Sequence, residues 1–376
     1  MGRYAIFTLI FLIINCVLYC LKGRFKDYNK AFLTVNGFLL WLLASLRSIN
    51  TGVDVENYGN IFNTFGIYPL NHTVSSHIDG YMGYRILCKL VYVLSNGNYQ
   101  VMLSVSAFII IYGLFKFLYY YSDNAIASVF FYITLYYYFS SFNIVRQNIA
   151  ISLFLLSIIE FDKKRYIKFA LLTIAAISVH NIVALIYVML LFRYIKWNKI
   201  LFCLYTSAVV LVLFAAKYLF NIFVAIFPRY ARYINAFENG TWGEAAGRKI
   251  ILSLSFMILI VYALLFIMAK DWSDVNIQQS DTAIKSNTKS LWVCSAMVMI
   301  EIVIGVFYPT QLLYLRVQSF FSMFSIILIP AVIERTDKKY RTLLYLAANI
   351  LFAITSVVRL LDNNSGVFPY EFFFEN

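Results

Sequence analysis

The sequence predicts an all-α, polytopic integral membrane protein, a single membrane domain over residues 1–376 with about 12–13 transmembrane or re-entrant helices. Three observations carry that expectation. Of the 376 residues, 62% are hydrophobic and only 13% are charged, against about 25% charged in a soluble domain. Apolar runs of about 20 residues recur from end to end, long enough to cross a hydrocarbon core of about 30 Å. Short Lys/Arg-rich loops punctuate them, and the alternating segments of about ten residues that a β-barrel needs are missing. Helices are then the spanning form, because an unpaired backbone group is too costly in lipid.

In chain order, hydropathy and its breaks place helices near 3–21, 31–46, 99–120, 125–141, 143–160, 166–179, 181–195, 199–220, 249–269, 290–308, 311–333 and 342–361. The first run starts at Tyr4 and lacks a small-residue cleavage site, so it reads as a retained helix. Between 31–46 and 99–120 lies an external loop, 47–83, with a short amphipathic helix in "TGVDVENYGNIF". The piece 82–95 is short for a span and reads as re-entrant or lying on the membrane surface. Residues 221–248 form a second external loop, and the polar stretch 270–289 a cytoplasmic one.

Short basic loops mark the cytoplasmic side. "KGRFKDYNK" (22–30), "FDKKRYIK" (161–168), "RYIKWNK" (193–199) and "ERTDKKYR" (334–341) are the clear cases. The net charge of +13 belongs to these loops and gives no reason to expect nucleic acid. Fixing them inside puts the N-terminus, 47–80, 140–146, 179–181, 221–248, 308–311 and the C-terminal tail outside. Five cysteines lie singly in apolar runs without CxxC or a His/Cys cluster, so neither a metal nor a disulfide frame is expected.

Ionisable groups at membrane depth are expensive and point to a site with a partner. Arg146, in "SSFNIVRQNIAISLF", opens a helix on the outer side, with Asn143 one turn before it and Gln147 after it. It either snorkels to the headgroups while Gln147 bonds a neighbouring helix, or the guanidinium and helix N-terminus together take an anion such as phosphate. His180, in "ISVHNIVALI", is either a satisfied interfacial residue or a base or sugar ligand. Arg316, in "PTQLLYLRVQSF", lies deeper than snorkelling needs. Glu301 is the carboxylate well inside a span, read chiefly as a partner for a buried cation. In "LRSINTGVDVENY", Arg47 faces outward, Gly52 frees the backbone, and Tyr58 shares a helix face with Phe62. There Asp54 is either part of an acidic surface loop or a base for a hydroxyl. The loop 221–248 carries Arg229, Arg232, Trp242, Glu244 and Arg248 among tyrosines, a mixture that suits sugar faces and phosphates or a plain aromatic belt.

The sequence resembles the EpsG family of Wzy-type polysaccharide polymerases. The resemblance rests on "LRSINTGVDVENY", "GYRILCKL" at 83–90, "SFNIVRQNIAISLF", "SVHNIVALI" and "FPYEFFF", in that order over nearly the whole chain. It implies a GT-C-like membrane glycosyltransferase of the bacterial cytoplasmic (inner) membrane. Such an enzyme acts on undecaprenyl-diphosphate-linked oligosaccharide at the outer face, with the lipid diphosphate as leaving group. Partners would be that substrate, membrane lipid, a chain-length regulator and a flippase. No cofactor is implied, and neither GxxxxGK[ST] nor GxGxxG occurs. In this reading Asp54 and His180 are the catalytic pair. Arg47, Tyr58, Arg85, Arg146, Gln147, Arg232 and Arg316 bind diphosphate or sugar. The alternatives are a flippase for the same lipid, an O-antigen ligase and a membrane acyltransferase. A flippase fits less well because no internal repeat is visible and the charges gather toward one face. The acyltransferase would use His180, but an arginine-rich face suits diphosphate better.

Overall fold

The computed structural model describes residues 2–70, 81–215, 288–307, 312–363 and 365–375, together with 218, 222 and 225. All regular structure there is helical; the single β interaction among the described residues is an isolated antiparallel bridge between Arg47 and Phe372. In order the helices are α1 (Gly2–Cys20), α2 (Tyr28–Ser45), α3 (Val55–Ile67), α4 (Met82–Leu94), α5 (Tyr99–Tyr121), α6 (Ala125–Thr134), α7 (Tyr137–Ser140), α8 (Val145–Asp162) and α9 (Tyr166–Val179). They continue as α10 (Met189–Phe192), α11 (Lys199–Phe214), α12 (Thr288–Phe307), α13 (Leu312–Phe321), α14 (Ser325–Ile333) and α15 (Lys338–Asp362). The expected helix 249–269 and the loops 221–248 and 270–287 lie outside the described residues, 222 and 225 apart.

Among the described residues, four stretches are long and apolar enough to cross a membrane: Gly2–Cys20, Tyr99–Tyr121, Arg316–Ile333 and Lys338–Asp362. Several expected helices are broken instead. The run 125–141 divides after Leu135, because Tyr136 adopts a left-handed backbone with φ 70°. That conformation is costly for a bulky residue and ends α6. The run 181–195 opens as a 3-10 segment, Asn181–Val188, before α10. The run 311–333 contains a 3-10 turn, Ser322–Phe324, between α13 and α14. Irregular backbone of this kind is tolerated at membrane depth only where protein or a cavity satisfies it.

Residues 1–185 with 365–376 form most of one compact unit. In it α5 packs against α2 and α8, α8 against α9, and α4 against both α3 and α9. Small polar groups act as interhelical glue, as they do where lipid supplies no hydrophobic drive between helices. Ser152 Oγ on α8 donates to the α5 carbonyl of Ile110 at 2.8 Å. Asn15 and Asn36 exchange amide hydrogen bonds of 2.9 Å and tie α1 to α2.

α4 is short for a membrane span. Its 13 residues reach about 20 Å at 1.5 Å per residue, short of a core of about 30 Å. Its start meets Ser178 at the end of α9, and its exit leads straight into Tyr99 and Gln100. Tyr99 Oη donates to Val55 O at 2.8 Å and Gln100 Nε2 to Arg47 O at 3.1 Å. The exit of α4 therefore lies beside the segment that carries Arg47, and its start lies beside the end of α9.

The second unit contains α10 to α15. Tyr205 on α11 donates to Ala296 O on α12 at 2.8 Å, and Trp197 stacks on Trp292 at 6.5 Å. Glu301 is buried on α12, where Ser325 Oγ donates to its Oε2 and Gln318 Nε2 donates to its backbone O at 3.1 Å.

Candidate functional site

The motif after α2 is folded by the far end of the chain. The backbone of Ser48 donates to Glu371 O at 2.8 Å, and Phe373 donates to Leu46 O at 3.0 Å. Further along, Gly52 donates to Gly366 O at 2.8 Å. Tyr370 Oη reaches Leu43 O at 2.6 Å. The N-terminus closes over the same strap: Tyr4 Oη donates to Val367 O at 2.7 Å, Arg3 Nη1 to Tyr370 O at 2.6 Å, and Arg3 pairs with Glu375 at 2.7 Å. Residues 365–375 thus belong to the site's wall.

Asn143 is the joint. Its Nδ2 donates to Ser365 O at 2.8 Å, while its Oδ1 accepts from the Asp54 backbone at 3.4 Å. Gly52 makes this approach possible. At φ +120° only glycine is comfortable, and a Cβ there would stand 2.9 Å from Asn143 Oδ1 and 2.7 Å from Val55 Cγ2. Asp54 is held in this way at the N-cap of α3.

One turn beyond Asn143, Arg146 stands in the first turn of α8. Its guanidinium lies over the Tyr81 ring at 3.8 Å and near the Tyr84 ring at 5.9 Å. Its Nε is buried without a hydrogen-bond partner. Tyr81 also meets the His180 ring edge-on at 5.4 Å, and Tyr84 meets Tyr58 at 6.1 Å. His180 is 7% exposed, at the C-cap of α9. α4 delivers Tyr81 and Tyr84 to this place because Gly83 lies directly on α9, where a Cβ would collide with Ser178 Oγ. Stacking on an aromatic face leaves the in-plane N–H groups of an arginine available for a planar anion.

The structure therefore brings Asp54, Tyr58, Arg146 and His180 around α3, α4 and the start of α8. Gln147 is 2% exposed and faces the helix packing. Arg47 and Arg85 are enclosed. Arg85, 3% exposed, donates to Pro69 O at 2.9 Å, lies over Phe65 at 5.0 Å, and with Lys89 caps the exit of α3. Arg47, also 3% exposed, lies over Phe142 at 4.3 Å. Arg316 sits on α13 in the second unit, and Arg232 lies outside the described residues. Sequence reasoning did not single out Tyr81; the available signal was Tyr81 and Tyr84 spaced three apart at the mouth of a short helix, on one face. Among the described residues no group of three His, Cys, Asp or Glu is placed to hold a metal.

The sequence model of one family, described as the EpsG family, matches residues 30–372. No curated protein and no solved structure matches the chain.

Proposed function

The chain belongs to the EpsG family, and on that membership we propose that it polymerises undecaprenyl-diphosphate-linked oligosaccharide repeats. The reaction would take place at the outer face of the bacterial cytoplasmic membrane. A hydroxyl of one repeat attacks the anomeric carbon of a second, lipid-linked repeat. The anomeric C–O bond to the diphosphate breaks, the new glycosidic C–O bond forms, and the lipid diphosphate leaves with the bonding electrons. The hydroxyl proton passes to a base on the protein.

The observation that supports this reading most directly is the meeting of Arg146, Tyr81 and His180 at the start of α8. A guanidinium in the first turn of a helix adds its charge to the positive end of the helix dipole. Arg146 is thus suited to the leaving diphosphate, where charge grows in the transition state; one preorganised donor of this kind contributes about 3–4 kcal/mol. Tyr58 and Tyr81 offer ring faces and hydroxyls to the sugar next to it, and the buried Tyr84 backs them. Asp54 is our candidate base, on a loop that Asn143 and the C-terminal strap hold in place. His180 is the second candidate and otherwise orients the diphosphate. Arg47 and Arg85, being enclosed, hold the frame.

The test is purified protein with a synthetic undecaprenyl-diphosphate repeat, read on a gel. A ladder of repeats with released lipid diphosphate supports a polymerase. Transbilayer movement of the substrate without new glycosidic bonds would support the flippase reading.

A further inference from the structure

Arg47 presents a charge that its surroundings do not neutralise. Its side chain is enclosed, its Nη2 donates to Phe142 O at 3.4 Å, and its Nε is buried with no hydrogen-bond partner. No described carboxylate forms an ion pair with it. Four phenols stand near it: Tyr4, Tyr99, Tyr138 and Tyr370. Each spends its proton on a backbone carbonyl, at 2.7 Å to Val367, 2.8 Å to Val55, 2.7 Å to Leu40 and 2.6 Å to Leu43 respectively. As neutral phenols they bring no negative charge to the guanidinium. An arginine keeps its proton even when buried, so a cage of neutral dipoles leaves the centre net positive.

Beside this centre is a small cavity lined by Arg47, Ser106 and Ser141, with Ala107, Ile110 and Val145 as apolar wall. Its volume, about 10 Å³, suits a single water-sized body. A phosphate group, let alone a diphosphate, is too large for it.

We propose that this cavity is a halide site, in which one chloride-class monatomic anion accepts from Arg47 and from the Ser106 hydroxyl and neutralises the buried guanidinium. A bound water would leave the charge uncompensated; an anion offsets it. The site lies under the strap, between α2, α5 and the turn before α8. Filling it would fix the cage of phenols on which Tyr370 and the tail rest. It is separate from the diphosphate position assigned to Arg146.

The experiment uses the purified full chain, with thermal unfolding followed in sodium chloride, sodium bromide and sodium gluconate at equal ionic strength. We expect the midpoint to rise saturably with chloride or bromide over gluconate, as for a single site. Ser106→Ala removes one donor and should weaken the apparent halide affinity about tenfold, the equivalent of one hydrogen bond. Arg47→Met should abolish the halide response. If that variant does not fold, crystals of the wild-type chain soaked in bromide decide, with an anomalous peak expected in the cavity between Arg47 and Ser106. Equal midpoints in chloride and gluconate, an unchanged halide response in Ser106→Ala, or no bromide peak in the cavity would each overturn the proposal in favour of water alone.

Discussion

Gly83→Ala tests how the site is assembled. Gly83 lies in the first turn of α4, so a methyl there changes only the space between α4 and α9. The new Cβ would fall on Ser178 Oγ and stand 3.0 Å from both Ser178 Cβ and the Ser178 backbone carbonyl carbon. Overpacking of this kind costs about 1–3 kcal/mol, and the gain from replacing glycine by alanine in a helix offsets about 1 kcal/mol of it. The net loss of stability should therefore be small. Activity should respond more strongly, because α4 carries Tyr81 and Tyr84, and a misplacement of about 1 Å at a reacting site costs on the order of 10²-fold. We expect Gly83→Ala to unfold within a few degrees of wild type while polymer formation falls about a hundredfold. Ser178→Gly removes the colliding side chain, so the double variant should regain most of the activity. Full activity in Gly83→Ala, or a double variant no better than the single one, would refute the claim that this contact sets the position of Tyr81.

The remaining predictions concern the strap, the base and the orientation. Tyr370→Phe strands the buried Leu43 carbonyl, which now accepts at 2.6 Å; thermal unfolding should show a loss of about 1–3 kcal/mol. Truncation after residue 364 should abolish polymerisation, because it also releases Gly52 and Asn143. Asp54→Asn should bind the lipid-linked substrate normally and slow transfer by about 10²–10⁴-fold; transfer at the wild-type rate would hand the base role to His180. In intact cells an impermeant thiol reagent should label Glu56→Cys and spare Lys164→Cys and Lys338→Cys; labelling at 164 would invert the assigned sides.

The long helices were legible because lipid demands long apolar runs, and α1, α5 and α15 need little else to be recognised. The breaks were not. Nothing in "YITLYYYFS" announces a left-handed tyrosine at 136, a residue buried against Phe139. Arg146 and His180 stood out because polar residues are conspicuous in apolar surroundings. Arg47 and Arg85 stood out for the same reason, and the structure lays their guanidinium groups over the rings of Phe142 and Phe65. Spacing does not show whether a guanidinium opens outward or inward. The strap was illegible for a different reason: most of its bonds join backbone N–H to backbone carbonyl, which every residue possesses. "FPYEFFF" therefore showed its aromatic character but not its docking on residues 46–53.

The proposed role of Arg146, carrying the leaving diphosphate, is tested most directly by a single-turnover measurement. Purified wild type, Arg146→Lys and Arg146→Ala are compared for transfer from an undecaprenyl-diphosphate repeat, with substrate binding measured alongside. We predict that Arg146→Ala transfers about 10²–10³-fold more slowly, as for loss of one preorganised donor. It should also bind the diphosphate more weakly while remaining folded. Arg146→Lys should recover only part of the rate, since an ammonium is a point charge without the planar fork. Transfer by Arg146→Ala at the wild-type rate would contradict the account.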